Sequence, residues 1–208
     1  MAIKILSDRK EARQTRSKDT VQTILKGAAH LLATSESERF TTNKLAEIAG
    51  VSVGSIYQYF SNKEAIISAL VTDYVYSQGQ IVINELLKVE QGLDIEACIK
   101  AVVFKLYDYR ASEMKLNRAI ATQVSGGQLL TELVREKENL TKLITEVLYN
   151  LKYSVNKRHL KIKVLLVVDI CDQTLDYLLL KSLIGNDLDF AVRHLAQLIY
   201  YSLKIDQN

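Results

Sequence analysis

Residues 53–60 carry their hydrogen-bonding side chains mainly on one side of a predicted short helix. At about 100° per residue on a helix, Gly54, Ser55, Gln58 and Tyr59 fall on one side of this stretch. Hydroxyl and carboxamide groups hydrogen bond to base edges and phosphate oxygens, and a glycine lets a backbone approach another molecule closely. The chemistry that this stretch offers is contact with a polar, anionic surface.

The other side of the same stretch is mostly apolar. The helical wheel groups Val53, Ile56, Tyr57 and Phe60 there, with Tyr57 at the boundary. The hydroxyl of Tyr57, like that of Tyr59, can reach a phosphate oxygen. Lys63 follows in the first turn of the next helix, where its ammonium group and the free backbone N–H groups both favour a phosphate.

The flanking residues predict how this stretch is positioned. Ser52 is a favourable N-cap for a helix over residues 53–60. Before it, Gly50 ends a short helix that begins at Thr41 or Thr42. Two short helices joined by a glycine-containing turn form a helix-turn-helix, whose second helix can enter the major groove of DNA. The residues expected to hold the two helices together are apolar: Leu45, Ile48, Ala49, Ile56 and Phe60.

Longer helices are predicted on both sides of this unit. Apolar residues recur at three- and four-residue steps from about Ser17, which predicts a first helix. Ser61 and Glu64 have the spacing of a capping box and predict the start of a long fourth helix.

A set of motifs with fixed spacing carries a family resemblance. The set consists of Thr41-Thr42, the run LAEIAGVS over residues 45–52, Gly54-Ser55-Ile56-Tyr57, Tyr59-Phe60 and Lys63-Glu64. Together with the preceding helix, these motifs resemble the DNA-binding domain of the tetracycline-repressor (TetR) family. The resemblance covers roughly residues 17–72.

The resemblance implies a role for each matching position. Thr42 and Asn43 would open the supporting helix and touch a phosphate and a base. The residues in or beside the major groove would be Ser52, Val53, Gly54, Ser55 and Gln58, and those on the DNA backbone would be Tyr57, Tyr59 and Lys63. For Val53 the family pattern, which places it at the DNA, is preferred over the wheel.

The N-terminal part of the chain is basic relative to the remainder. Residues 1–63 hold ten Lys and Arg against six Asp and Glu, whereas the remainder holds 17 against 18. Residues 1–16 are interpreted as a flexible basic arm. Two interpretations stay open for Arg9, Arg13 and Arg16: they thread the minor groove of DNA, or they belong to a solvated tail.

The composition predicts an all-α fold of about nine helices. Proline is absent and only eight residues are glycine, whereas sandwich and α/β folds use many of both in their turns. Later helices are expected near residues 94–110, 113–123, 128–151, 157–183 and 187–204. We predict a helix-turn-helix domain over 17–63 and a ligand-binding and dimerisation domain over 64–208.

The last two helices carry more apolar residues than one core face requires, which suits a four-helix bundle between two protomers. The resemblance implies the same pairing. The alternative is that these residues complete the core of one chain. The predicted interface residues are Val164, Val168, Cys171, Leu175, Leu179, Leu195, Leu198 and Ile199.

The middle helices are where members of the family enclose a ligand. Aromatic and soft side chains often line such sites, although at helical spacing they are more often ordinary core. The candidates are Phe104, Tyr107, Met114, Cys171 and Tyr177. Asp169, Asp172 and Asp176 form a carboxylate stripe, which either binds a cationic ligand or faces water.

Other classes of function find little support in the sequence. Cys98 and Cys171 lie far apart and are interpreted as buried small hydrophobes, and the three histidines lack metal-ligand spacing, so neither a metal nor a cofactor is expected. No signal peptide or membrane span is recognised, which predicts a cytoplasmic protein without a membrane partner. Motifs of enzymes are missing.

The expected function is that of a transcriptional regulator, most simply a repressor, that binds palindromic operator DNA as a homodimer and is released by a small molecule. The alternatives are an architectural or cell-division DNA-binding factor of the same fold and, more remotely, a helical enzyme.

Overall fold

The structure is a computed structural model that describes residues 2–34, 40–124, 128–153 and 156–204. Within these ranges the side chains of residues 2–16, 117, 121–124 and 128–129 are not described. The described chain forms nine α-helices and one 3-10 helix, Leu87–Gln91, and contains no strand, which confirms the predicted all-α fold. The α-helices are α1 (Ala2–Ala33), α2 (Thr42–Ala49), α3 (Val53–Tyr59), α4 (Lys63–Leu86), α5 (Ile95–Ser112), α6 (Met114–Val124), α7 (Gln128–Asn150), α8 (Lys157–Lys181) and α9 (Gly185–Lys204).

Side-chain caps determine where several helices begin. Asp94 accepts a hydrogen bond from the Ala97 N–H at the start of α5, and Asn156 caps α8 in the same way. At the start of α4 the cap is Asn62, whose Oδ1 accepts from the Ala65 N–H at 2.8 Å. The capping box predicted for Ser61 was therefore placed one residue too early.

Helix α1 begins at Ala2 in the structure, well before the predicted start near Ser17. The structure thus assigns residues 2–16 to this helix and not to a separate arm. These residues include no Gly or Pro and are rich in Ala, Lys and Arg, which have high helix propensity. The side chains of Arg9, Arg13 and Arg16 lie outside the described residues, and both interpretations of them stay predictions.

The chain divides into two compact units. The first comprises residues 1–71 and 115–125, and the second comprises residues 72–114 and 126–208. The predicted boundary at residue 63 differs from this division in two ways: the first turns of α4 belong to the first unit, and so does most of α6.

The core of the first unit is built from apolar faces of α1, α2, α3 and the start of α4. Helices α1 and α2 approach closely at Gly27, where an added Cβ would lie 3.1 Å from the Ala49 Cβ and 3.2 Å from a Leu45 methyl group. The side chains buried in this core include Ile24, Ala28, Leu31, Leu32, Phe40, Leu45, Ile56, Phe60, Ile66 and Leu70.

The core of the second unit combines aliphatic residues of α5, α7, α8 and α9. Cys98 and Cys171 are both buried free thiols, as predicted, and Cys171 belongs to this core. Burial raises the pKa of the Cys171 thiol to about 12, so this group stays neutral. Among the described helices, none combines the length and the apolar run that a membrane span requires.

One buried arginine joins three helices of the second unit. Arg110 on α5, only 4% exposed, donates from Nε to Gln78 Oε1 of α4 at 2.7 Å. Its guanidinium also pairs with the carboxylates of Asp172 and Asp176 on α8. Lys137 Nζ of α7 lies 2.5 Å from the other oxygen of Asp172. We call these five residues the polar hub.

The polar hub includes two members of the carboxylate stripe on α8. Asp172 and Asp176 both pair with Arg110 of the same chain, and the Asp176 side chain is 50% exposed. Asp169 is exposed. Burial opposes the charge of Arg110, but the neighbouring carboxylates outweigh it and raise the pKa of the guanidinium.

Replacing Arg110 by methionine is expected to lower the free energy of unfolding by about 3 kcal/mol or more, because it leaves Asp172 and Asp176 without their main cation. Arg135, 64% exposed on α7 and paired only with surface glutamates, is the matched control. Its replacement by methionine should cost under about 1 kcal/mol. Urea unfolding followed by circular dichroism at equal protein concentration compares the two. Equal losses would contradict a structural role for the hub.

Candidate functional site

The turn between α2 and α3 is fixed by one left-handed residue. Gly50 has φ 65° and ψ 31°, a conformation that costs a residue with a Cβ about 1–2 kcal/mol. Its N–H donates to the Glu47 carbonyl, and the next N–H, of Val51, donates to the Ala46 carbonyl at 3.0 Å. This pair of bonds is a Schellman motif, which ends α2 and redirects the chain into α3.

Ser52 caps α3, as the sequence predicted. Its Oγ accepts a hydrogen bond from the Ser55 N–H at 3.0 Å and lies 2.7 Å from the Ser55 Oγ. Phe60 leaves the helical conformation with φ −130° and closes the last turn by donating its N–H to the Ile56 carbonyl. The recognition segment thus has a defined beginning and end.

Burial on one side holds α3 in place. Ile56 and Leu45 are fully buried and Phe60 nearly so, in agreement with the predicted packing. Ile48 was also expected to pack there, but it is 38% exposed. The reason is that α2 turns Leu45, Ala46 and Ala49 toward α1, which leaves Ile48 at the edge of the contact.

The ten residues predicted to contact DNA retain at least partial exposure. Tyr57 is 54% exposed and Tyr59 38% exposed. Those that are exposed also include Asn43, Ser52, Gly54 and Gln58, and those that are half-buried are Thr42, Val53, Ser55 and Lys63. The wheel was wrong in grouping Tyr57 with the buried side of α3. Val53 is half-buried, which is intermediate between the core position given by the helical wheel and the DNA-facing position given by the family pattern.

Two contacts beside α3 position Tyr57 and Lys63. The hydroxyl of Tyr57 lies 3.4 Å from Thr42 Oγ1, which joins the beginning of α2 to the second half of α3. Lys63 Nζ lies 5.1 Å from the centre of the Phe40 ring, a cation–π distance. We define the recognition surface as the ten predicted residues, Thr42, Asn43, residues 52–55, residues 57–59 and Lys63.

Comparison with known proteins decides what this module is. Residues 24–70 match the family described as "Bacterial regulatory proteins, tetR family". Residues 24–70 therefore form a DNA-binding module of the tetR family. The matched segment contains the whole of α2 and α3, the Ser52 cap and the Gly50 turn.

More distant similarity extends over most of the chain. The nucleoid occlusion factor SlmA of Vibrio vulnificus strain YJ016 is 27% identical over 139 residues, 66% of this chain and 67% of that protein. A TetR-family transcriptional regulator from Streptomyces coelicolor superimposes with a TM-score of 0.64 at 20% identity, covering 92% of this chain and 99% of that one. The regulator FadR from Bacillus subtilis in complex with stearoyl-CoA gives 0.55 at 21%, covering 88% and 96%. The two structures share the fold with this chain.

The second unit contains a cavity of about 100 Å³. Fifteen of its nineteen lining residues are Val, Leu or Ile, contributed by α4, α5, α7, α8 and α9, and none is aromatic. The remaining four are Gln78, Lys137, Cys171 and Asp172. Three of these four belong to the polar hub, so the cavity has an aliphatic wall and one polar end.

Most of the predicted ligand-pocket residues lie elsewhere. Cys171 lines the cavity, but Phe104, Tyr107, Met114 and Tyr177 do not. Phe104 and Tyr107 are half-buried residues packed against the outside of the core, and Tyr177 is 57% exposed beneath Lys181. Aromatic character was a misleading guide because the actual wall is aliphatic. Gln78, Lys137 and Arg110 were missed, since their positions converge only through long-range packing.

Most of the predicted dimer residues belong to the core of one chain. The six that are buried are Val164, Cys171, Leu175, Leu179, Leu195 and Ile199, while Val168 is half-buried and lines the cavity. Only Leu198, 58% exposed, lies on an open face. The prediction selected the inward face of α8 and α9 because both faces of these helices are apolar.

The outward faces of α8 and α9 carry a second apolar stripe. On each helix, successive members of the stripe are three, four, seven or eight residues apart, which places them on one side of that helix. We define the outer apolar surface by its members, which are 51–69% exposed: Ile162, Leu166, Ile170, Tyr177, Phe190, Leu198 and Tyr201.

Gly54 and Gly50 give a test that separates folding from recognition. An added Cβ at Gly54 meets only Ser52 Oγ, at 3.7 Å, so Gly54→Ala should keep or slightly raise the melting temperature. We expect it to weaken DNA binding tenfold or more, because the new methyl group would stand between helix and groove. Gly50→Ala should instead lower stability by about 1–2 kcal/mol.

The measurements are thermal unfolding and fluorescence anisotropy with a duplex selected by the wild-type protein. Full DNA affinity in the Gly54→Ala protein would contradict a close approach of α3 to DNA at this point.

Proposed function

We propose that this protein is a homodimeric transcriptional repressor that inserts α3 of each protomer into the major groove of an inverted repeat. The observation that carries the proposal is the two-sided character of α3. Its buried side, through Ile56 and Phe60, fixes the helix in the module, and its exposed side presents Gly54, Gln58 and Tyr59. A rigid short helix with an open polar face is what base-edge recognition requires.

The exposed groups divide into those that read bases and those that position the protein. The carboxamide of Gln58 can pair with adenine, whereas the tyrosine hydroxyls and Lys63 suit phosphate oxygens. Ser55 has its hydroxyl hydrogen-bonded to Ser52, so it is pre-oriented at the helix N-terminus. Charge contributes modestly to DNA binding by this module, because the charged residues among residues 40–63 are only Lys44, Lys63 and Glu47. Specificity therefore rests on few contacts.

Few contacts per helix favour a dimer. Two protomers double the number of base contacts and match the twofold symmetry of an inverted repeat. The outer apolar surface on α8 and α9 is the candidate interface, because an exposed apolar stripe of this size marks an association site. The second copy would turn two helices into a four-helix bundle.

The cavity of the second unit supports a ligand-responsive regulator. Helix α4 is continuous from Lys63, which belongs to the recognition surface, to Leu86, which lines the cavity. A ligand that prefers one position of α4 must weaken DNA binding by the same factor by which DNA weakens ligand binding. The B. subtilis neighbour crystallised with stearoyl-CoA offers a precedent for a ligand in this fold.

A second candidate is a DNA-binding factor of cell division, favoured by the similarity to SlmA. The two functions differ in where the protein binds. Genome-wide footprinting distinguishes them: a local regulator occupies one or a few promoter sites, whereas a nucleoid factor occupies many dispersed sites.

Substitutions on the recognition surface test the proposed DNA contacts. Gln58→Ala should lose about 1–3 kcal/mol of discrimination at one base pair of each half-site. Lys63→Ala should weaken binding to all sequences alike and reduce the salt slope by about 1 per protomer. Lys100→Ala, on the exposed surface of α5, is the control and should change neither. Anisotropy titrations across salt concentrations measure both effects. Unchanged specificity with Gln58→Ala would contradict the proposed readout.

A charge on the outer apolar surface tests the dimer. Ile170→Asp and Leu198→Asp place a carboxylate at the proposed interface, and we expect both proteins to sediment as monomers and to lose affinity for the inverted repeat. Leu93→Asp alters an equally exposed leucine outside this surface and should remain dimeric. A wild-type protein that sediments as a monomer at micromolar concentration would overturn the dimer proposal.

A further inference from the structure

The cavity of the second unit has features that define the chemistry of its ligand. Its wall is formed by fifteen aliphatic side chains and lacks aromatic rings. Planar aromatic ligands gain from stacking on rings, which this wall does not offer, whereas a flexible hydrocarbon chain is accommodated by branched aliphatic residues. The wall therefore favours an aliphatic chain.

The polar end of the cavity determines what head group the chain carries. Both oxygens of the Asp172 carboxylate are engaged, one by Arg110 and the other by Lys137. Gln78 Oε1 is engaged as well, because it accepts from Arg110 Nε, and an arginine can only donate. Each of these three acceptor oxygens thus already accepts from a cationic side chain.

Several N–H donors at the polar end have no partner among these contacts. An ammonium group has three N–H donors, and Asp172 takes one of those on Lys137. The Gln78 carboxamide keeps both N–H donors, and its side chain, 8% exposed, lines the cavity. Lys137, 34% exposed, stands nearer to solvent. A head group that completes this site must accept hydrogen bonds.

We propose that the ligand is an aliphatic acyl chain whose carboxylate or carbonyl oxygen is bound by Lys137 and Gln78, with its hydrocarbon tail along the aliphatic wall. The inference rests on the proposed function, since it names the effector class of the same regulator. A cationic head group is disfavoured, because Asp172 already pairs with two cations. The acyl group enters either as a free fatty acid or as a thioester.

The head group also lies where it can influence α4. Gln78 is on α4 and is held by Arg110 through its Oε1, and Lys137 is on α7. An oxygen bound by the unused N–H donors of both residues therefore bridges α4 and α7. Binding thus adds a contact between these helices while Asp172 keeps its ion pairs.

Calorimetric titration of the purified full chain with matched C12 probes tests the proposal. The probes are dodecanoate, dodecanoyl coenzyme A, dodecanol and dodecyltrimethylammonium. We expect dodecanoate, its thioester or both to bind more tightly than the ammonium probe, and which of the two binds identifies the source of the acyl group. From butanoate to hexanoate the affinity should rise about fourfold per methylene, and the rise should level off once the cavity of about 100 Å³ is filled.

Two variants and one control assign the contacts. Lys137→Met should weaken dodecanoate binding about tenfold or more while changing dodecanol binding less than twofold. Lys142→Met, an exposed lysine on the same helix, should leave both unchanged. Val168→Phe fills the cavity and should reduce binding of every C12 probe at least tenfold, with thermal unfolding confirming that it is folded.

Preferential binding of the ammonium probe, or equal losses of dodecanoate and dodecanol in Lys137→Met, would overturn the head-group assignment. If no C12 probe binds while the protein still binds its DNA, the proposal of an acyl ligand is overturned and the proposed DNA-binding function stands. Loss of sequence-specific DNA binding with dodecanoate bound normally would count against the proposed function alone.

Discussion

The recognition helix α3 is seven residues long, and a helix of this length does not persist by itself in water. Its existence depends on the buried contact of Ile56 and Phe60 with the rest of the first unit. Two residues define the start of α3. Gly50 provides the left-handed turn that ends α2, and the Ser52 hydroxyl accepts a hydrogen bond from the otherwise free Ser55 N–H. The polar face of α3 is available to DNA only because the other face is committed to the core.

The same division between committed and available faces recurs in the second unit. The inner sides of α8 and α9 complete the core, and the outer sides keep an apolar stripe that a single chain leaves exposed. Between the helices, aliphatic packing leaves a cavity at the point where Gln78, Lys137 and Asp172 introduce polar atoms. Helix α4 belongs to both units, with its residues up to Val71 in the first and the remainder in the second.

Local features were predictable from the sequence, and long-range ones were not. Ser52, Gly50 and the spacing of Ile56 and Phe60 act within one or two turns, and the structure confirms them. The all-α fold followed from the scarcity of helix breakers. By contrast, Arg110 and Asp172 are 62 residues apart, and no periodicity indicates that they pair.

Errors arose where two faces of one helix look alike in sequence. Helix α8 is apolar on both sides, so Leu175 was assigned to the interface although it is fully buried in its own chain. Ile48 fits an inward pattern on α2, yet the close approach of α1 at Gly27 rotates the buried side away from it. In both cases neighbouring helices, and not the helix's own residues, decide which side is covered.

The central claim is that two copies of α3, fixed by their buried sides, read a symmetric DNA site. Selection of duplexes from a randomised pool by the purified protein at moderate ionic strength tests it most directly. The account predicts enrichment of an inverted repeat whose half-sites are separated by about one helical turn, roughly 10 base pairs, or a multiple of it. Enrichment of no sequence over random duplex, or of a single unpaired half-site, would contradict it.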